Sequence, residues 1–290
     1  MLWLRPTAVQ RYESCGEQSR LVDKEGWRPN ETSSALVFGD SVHRGCLGAL
    51  VARADGQAFD PEQTFIARWE HHLSTTNIQF NSTHGEESLR EIGRALCRSF
   101  LAHWDTLGLV PVLSDRGLLV EQRLRVRLSP TVGLSGEPDI VAMDGNGQIW
   151  VIDLKTPATA SFEGFAGIAE QLTAYQILYD AHAPSMGLPP VSHMMFLEGL
   201  KQNNPRWVVQ TGPRHSDSWV RGYTEKLLKT AQLMQEGYYP RRTAAAYNSP
   251  CSQCDMAILC QTGQTEGYVK GKRKPETPPQ DGNTQVTEVA

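Results

Sequence analysis

From Glu86 to about Trp104 the apolar positions Leu89, Ile92, Leu96, Phe100 and Trp104 recur at the spacing of one helix face. The period then falls to two. Between Leu118 and Leu128, Leu124, Val126 and Leu128 alternate with Arg123, Arg125 and Arg127, as a half-buried strand does. Pro138 to Ala142 reads as a strand, Asp144–Gly145–Asn146–Gly147 as a tight turn, and Gln148 to Lys155 as the returning strand. Ile168, Leu172, Tyr175, Leu178 and Tyr179 restore the helical period over 164–182. Strands follow at Val191–Leu197 and Trp207–Val209, then a helix over 216–236. Residues 1–60 mix turn signals with a short helical pattern after Gly39. No internal repeat is visible, which removes solenoids and propellers. The order predicts an α/β or α+β domain with a mixed sheet flanked by helices.

With 40% hydrophobic residues in 290, the chain can bury a sizeable core. Its longest apolar runs, such as Ile149–Trp150–Val151–Ile152, fall far short of the roughly 20 residues of a membrane span. The N-terminus carries Arg5 and no long apolar core, a poor signal peptide. A soluble, cytoplasmic protein is expected, in which the Asn-X-Thr triplets at Asn30 and Asn81 carry no glycan. The net charge of −4 excludes a histone-like basic coat and leaves nucleic acid open as a ligand, held by a local basic strip. From Gly263 onward apolar residues thin out, so 263–290 reads as a disordered tail that includes the basic run Lys270–Lys274.

The densest chemistry lies in Gly136–Glu137–Pro138–Asp139 and, fourteen residues on, Asp153–Leu154–Lys155. Asp153 and Lys155 stand two apart in a strand and leave on one face, while Leu154 points the other way. The turn at Asn146–Gly147 returns Asp153 close to Asp139. Paired carboxylates make a hard-oxygen site for Mg²⁺ or Mn²⁺, and an adjacent lysine can hold an attacking water and offset charge on a phosphoryl transition state. Asp-X-Lys triplets are common, and the bland reading is a turn carboxylate beside a surface lysine. Against it, Asp153 ends a four-residue apolar run where an unpaired charge is costly.

Pro138–Asp139 with Asp153–Leu154–Lys155 resembles the signature of the PD-(D/E)XK nuclease superfamily. Gln171–Leu172–Thr173–Ala174–Tyr175 after the lysine and Gly39–Asp40–Ser41–Val42–His43 before it resemble the RecB-like exonuclease branch, in the family's order, over about residues 8–262. The resemblance implies a restriction-endonuclease-like core over about 115–235, with an N-terminal helical region and a C-terminal cysteine element in one domain of residues 1–262. It implies His43, Asp139 and Asp153 as ligands of Mg²⁺ or Mn²⁺, and Lys155, Gln171 and Tyr175 as further catalytic residues. Tyr175 also fits its helix's apolar stripe. Glu121 stands where relatives often place a glutamate and is a further catalytic candidate; the alternative is that in an ideal strand it shares a face with Arg123 and Arg125 and pairs with them. The row Arg123, Arg125 and Arg127 can track a phosphate backbone or be a solvated strand face.

Cys251–Ser252–Gln253–Cys254, with Cys260 six residues further on, sets three thiols close together near the C-terminus. In a reduced compartment such spacing is read for metal first. Similarity to the iron–sulfur members of the RecB-like branch, AddB and the CRISPR-associated exonucleases, implies Cys15 as the fourth ligand of a 4Fe–4S cluster pinning both ends of the domain. Zinc in the same four-thiolate cage is the alternative. Cys46 and Cys97 fall in helical patterns and read as small buried hydrophobes.

The expected activity is a metal-dependent DNA exonuclease acting on linear or single-stranded DNA, with recombination or repair proteins as partners. No Gly-X₄-Gly-Lys-Ser/Thr is present, so there is no P-loop motor in the chain. The rivals are a structure- or sequence-specific endonuclease on the same fold and a non-catalytic DNA-binding or assembly module.

Overall fold

The computed structural model describes residues 1–115, 117–242 and 249–271, together with the backbone of 285–286. The described chain forms two compact units, one of Glu31–Arg123 and Glu137–His215, the other of Met1–Asn30, Leu124–Gly136 and the chain from Ser216 on. The single domain expected over 1–262 is therefore divided. The division follows hydrogen bonding, since Leu124–Arg127 pairs with Val132–Gly136 and not with the strand after Asp139.

The first unit is built on a five-stranded mixed sheet, in the order Trp207–Pro213, Val191–Gly199, Ile149–Lys155, Ile140–Met143, Val110–Pro111. Only the Ile149–Lys155 and Val191–Gly199 strands, joined by a helical crossover, run parallel. Along Ile149–Lys155 side chains alternate. Ile152 and Leu154 enter the main core with Phe38, Val42, Phe65, Trp69, Leu96 and Phe100. Those partners come from three helices, Ser34–Ala54, Pro61–Thr75 and Glu86–Thr106. The opposite face carries Asp153 and the strand neighbour Phe196, on whose ring Phe165 stacks at 5.3 Å.

The helix Pro61–Thr75 was absent from the sequence reading, although its start is signalled. Asp60 accepts from the backbone N–H groups of Glu62 and Gln63, and Pro61 occupies the first turn. Phe65 and Trp69, one turn apart, stack at 6.1 Å with planes 17° from parallel. Gly93 lets the third helix approach them, because a Cβ there would overlap the Phe65 ring.

The strand expected over 118–128 is broken. Gly117–Leu118 and Leu124–Arg127 are separate pieces, and between them Glu121 adopts φ +50°, a left-handed conformation that a continuous strand cannot contain. The helix expected over 164–182 starts as a single turn, Phe165–Ile168, and is reset at the extended residue Ala169 before Glu170–His182.

In the other unit Leu2–Leu4, Val132–Gly136 and Leu124–Arg127 form neighbouring strands. The helix Asp217–Gln235 is capped by Ser216, which accepts from Trp219 N. The expected tail is structured at its start. Tyr268–Lys270 pairs antiparallel with Trp27–Pro29, and Lys270 sits 5.2 Å from the Trp27 ring. An indole for the ammonium and a strand edge for the backbone offset the lack of apolar side chains. The remaining basic residues Lys272–Lys274 lie outside the described residues. Among those described, no helix is long and apolar enough to cross a membrane.

Candidate active site

The site is assembled by the hairpin register. Asp144 accepts from the backbone N–H groups of Asn146 and Gln148, and Gly147 takes φ +77°, so the turn is tight. Ile140 then pairs with Ile152, which brings Asp139 opposite Asp153 at the sheet's end. Leu154 N–H donates to Oδ2 of Asp139 at 2.7 Å. Oδ2 of Asp153 lies 2.6 Å from the Lys155 ammonium, on the same strand face. Asp153 is 1% exposed and Lys155 42%, so the cation reaches from the wall into the cleft.

His43 comes from the helix Ser34–Ala54. Its Nε2 donates to the Leu154 carbonyl at 2.7 Å, which leaves Nδ1 with a lone pair facing Oδ1 of Asp139, 3.8 Å away. Burial holds the imidazole below its ordinary pKa. Gln171 donates from Nε2 to Oδ1 of Asp153 and to the Tyr175 hydroxyl, 2.9 Å to each. One helical turn separates the two, so Tyr175 orients Gln171 and Gln171 orients Asp153. Burial first, then the two aspartates, push the Tyr175 phenol well up.

Glu121 corrects the strand expectation. It does not pair with Arg123 or Arg125 across an ideal strand face; its left-handed backbone puts it in the cleft lining with His43, Lys155 and Thr156. Arg123 instead pairs with Glu137. Arg125, in the other unit, lies over the Trp3 ring at 5.5 Å, and its Nε is buried, as is that of Arg127. Arg123 is exposed, and Arg125 and Arg127 are half-buried. The cleft holds about 400 Å³ and is also lined by Leu36, Asp40 and Arg44, which the sequence reading passed over. Their spacing from His43 on one helix face was the available signal.

Do these residues suit a divalent cation? Asp139 and Asp153 are each pushed up to about 7, chiefly by burial, with Asp139 adding to the shift of Asp153. Two opposed carboxylates and an imidazole lone pair share one neighbouring cation, the Lys155 ammonium on Asp153, which leaves donors for a further positive charge. Among the described residues no three His, Cys, Asp or Glu side chains close fully around one point. The donors are nonetheless those a hard cation takes.

In the other unit Cys15, Cys251, Cys254 and Cys260 line one cavity of about 300 Å³ with Arg241 and Arg242. Burial raises the Cys254 and Cys260 thiols. Cys46 and Cys97 lie elsewhere, fully buried with their sulfurs 4.0 Å apart.

The hairpin thus opposes the buried Asp153 to the half-buried Asp139 beside a lysine, on a mixed sheet with helices. The chain belongs to the PD-(D/E)XK nuclease superfamily, whose model matches residues 4–261. Its fold is similar to that of a Eubacterium rectale protein that carries the name exonuclease provisionally, with TM-score 0.52, 11% identity, and 83% of this chain and 84% of the other covered. A second solved structure, SSO0001, superposes at TM-score 0.30 and 13% identity over 89% of this chain and 96% of its own, too loosely to carry weight. No curated protein matches the chain.

Proposed function

We propose that this nuclease is a metal-dependent DNA exonuclease of the RecB-like branch, acting on linear or single-stranded DNA. The observation that carries the reading is the opposed Asp139–Asp153 pair with Lys155 2.6 Å from Asp153. Asp139, Asp153 and Nδ1 of His43 would hold Mg²⁺ or Mn²⁺, which when bound supplies a Lewis acid and charge neutralisation for a phosphodiester. Lys155 orients the attacking water and offsets charge as the phosphate is attacked. Gln171 and Tyr175 fix the Asp153 carboxylate, the Leu154 amide fixes that of Asp139, and Glu121 adds a carboxylate at the cleft wall.

The four cysteines suit a 4Fe–4S cluster. Their thiols line one cavity of about 300 Å³, and zinc in the same four-thiolate cage is the alternative. Arg241 and Arg242 beside it favour a negatively charged thiolate group. The reading places the protein in the cytoplasm, with recombination or repair proteins as partners.

Incubation with end-labelled linear DNA and covalently closed circles in Mg²⁺ or Mn²⁺ tests the activity. Loss of linear DNA alone supports the exonuclease. Nicked circles would make it an endonuclease, and a mobility shift without degradation a binding module.

A further inference from the structure

We infer that the cleft side of the Ser34–Ala54 helix is a nucleotide subsite, in which Leu36 packs against a base and Arg44 takes a phosphate of the strand being cut. The inference rests on the nuclease reading and names the contacts by which the same cleft positions its substrate.

Leu36, Gly39, Asp40, His43 and Arg44 share one face of the helix and all line the cleft. The same stripe continues through Leu47 and Leu50, which are buried in the core at 1% and 2% exposure. Leu36 continues that stripe toward the N-terminus, yet is 69% exposed. Its apolar side chain faces a cleft that Ala35 and Leu154 also line, beside the polar His43, Lys155, Glu121 and Asp40. A lone exposed leucine needs no explanation. One at the mouth of a polar catalytic cleft, seven residues from the histidine, has an occupant to meet. Seven residues of helix span about 10 Å, the reach of one nucleotide from its phosphate to the far edge of its base.

The charges suit the same occupant. Arg44 is exposed at the cleft and makes no hydrogen bond or ion pair with any described residue. Of the cleft's carboxylates, Asp40 is already held by Arg68 at 2.6 Å and His72 at 2.7 Å, so it does not compete for Arg44. Gly39 leaves the floor between Leu36 and His43 without a side chain. The volume of about 400 Å³ is that of a small-molecule site and admits a single nucleotide, not a duplex. The subsite therefore takes an unpaired strand, with apolar contact to a base face and a positive charge on the backbone.

The experiment compares wild type, Leu36→Ala and Arg44→Gln on a single-stranded oligonucleotide and on one of equal length lacking all its bases. In Mn²⁺, Leu36→Ala is expected to raise KM about fivefold on the base-bearing strand, as loss of part of a leucine's apolar contact does. It should leave kcat near wild type and change nothing on the abasic strand. Arg44→Gln should weaken both substrates alike and lower the slope of log affinity against log salt by about one. Equal effects of Leu36→Ala on both strands, or none on either, would overturn the subsite. Should wild type cut neither strand, the nuclease reading fails, and anisotropy titrations of the same oligonucleotides still decide the base contact. A base-dependent gain in affinity that Leu36→Ala removes supports it, and affinity indifferent to bases overturns it. Unchanged melting of Leu36→Ala, expected of so exposed a residue, separates either result from misfolding.

Discussion

His43 turns Nδ1 toward Oδ1 of Asp139 at 3.8 Å, each presenting lone pairs, because Nε2 is committed to the Leu154 carbonyl and Oδ2 to the Leu154 amide. A single residue of the lysine strand, through its amide and its carbonyl, thus aims an imidazole and a carboxylate at the same point. Only a cation or a proton relieves that arrangement.

The first consequence concerns pH. Burial holds Asp139 and Asp153 at about 7, against an ordinary aspartate near 4. Between those values the folded chain binds more protons than the unfolded one, so the pair's contribution to stability is complete below about pH 4 and is lost as pH rises through about 7. Metal-free protein should lose melting temperature across that window. Asp153→Asn should flatten the loss, and the difference between the two proteins isolates the pair from His43, which pulls the other way at acid pH. Differential scanning fluorimetry at several pH values measures this; parallel curves for the two proteins would refute it.

Metal should reverse the effect. Mg²⁺ or Mn²⁺ competes with protons for the same oxygens, so it should raise the melting temperature more at pH 8 than at pH 5.5. Asp153→Asn should lose this response and cut at least about 10³-fold more slowly, since the carboxylate acts on the transition state. A variant that still cuts at wild-type rate removes Asp153 from the site.

Gln171→Ala should lower kcat by about 10–100-fold, as loss of a group that orients a ligand does. Tyr175→Phe should cost less, because Gln171 keeps its bond to Asp153. Steady-state kinetics of both variants rank them, and the opposite ranking would give Tyr175 a direct role.

For the cysteines, anaerobically purified protein should be brown, with iron and sulfide in about fourfold amounts. Changing Cys15, Cys251, Cys254 or Cys260 to Ala should remove the colour, and changing Cys46 or Cys97 should keep it. Colourless protein containing one zinc would replace the cluster with the ion.

Gly93→Ala should destabilise the fold by about 1–3 kcal/mol, since the Phe65 ring it meets is fully buried between two helices. Chemical denaturation measures it, and an unchanged midpoint would mean the helices separate freely.

The local patterns of the chain were legible wherever one face is buried and the period is clean. Leu89 to Trp104 and Ile149 to Lys155 gave their elements, and the turn at Asn146–Gly147 placed Asp139 opposite Asp153. What could not be read depends on contacts distant in sequence. The left-handed backbone at Glu121 leaves no trace in an alternating string of apolar and arginine residues, so an ideal strand would set the glutamate beside Arg123 and Arg125. Trp3, which covers Arg125, lies more than a hundred residues away. Tyr268–Lys270 looked too polar to fold because its partners, the edge at Trp27–Pro29 and the indole beneath Lys270, come from the other end of the chain.

The ion pair between Arg123 and Glu137 has a bearing on how the gene could be cut. The catalytic unit is interrupted there: the chain leaves it after Arg123, makes the hairpin Leu124–Gly136, and returns at Glu137. Because the two side chains at exit and re-entry touch, the severed ends lie a short linker apart. A two- or three-glycine splice across it would leave the order of the catalytic residues intact while removing from the other unit the strand that pairs with Leu2–Leu4.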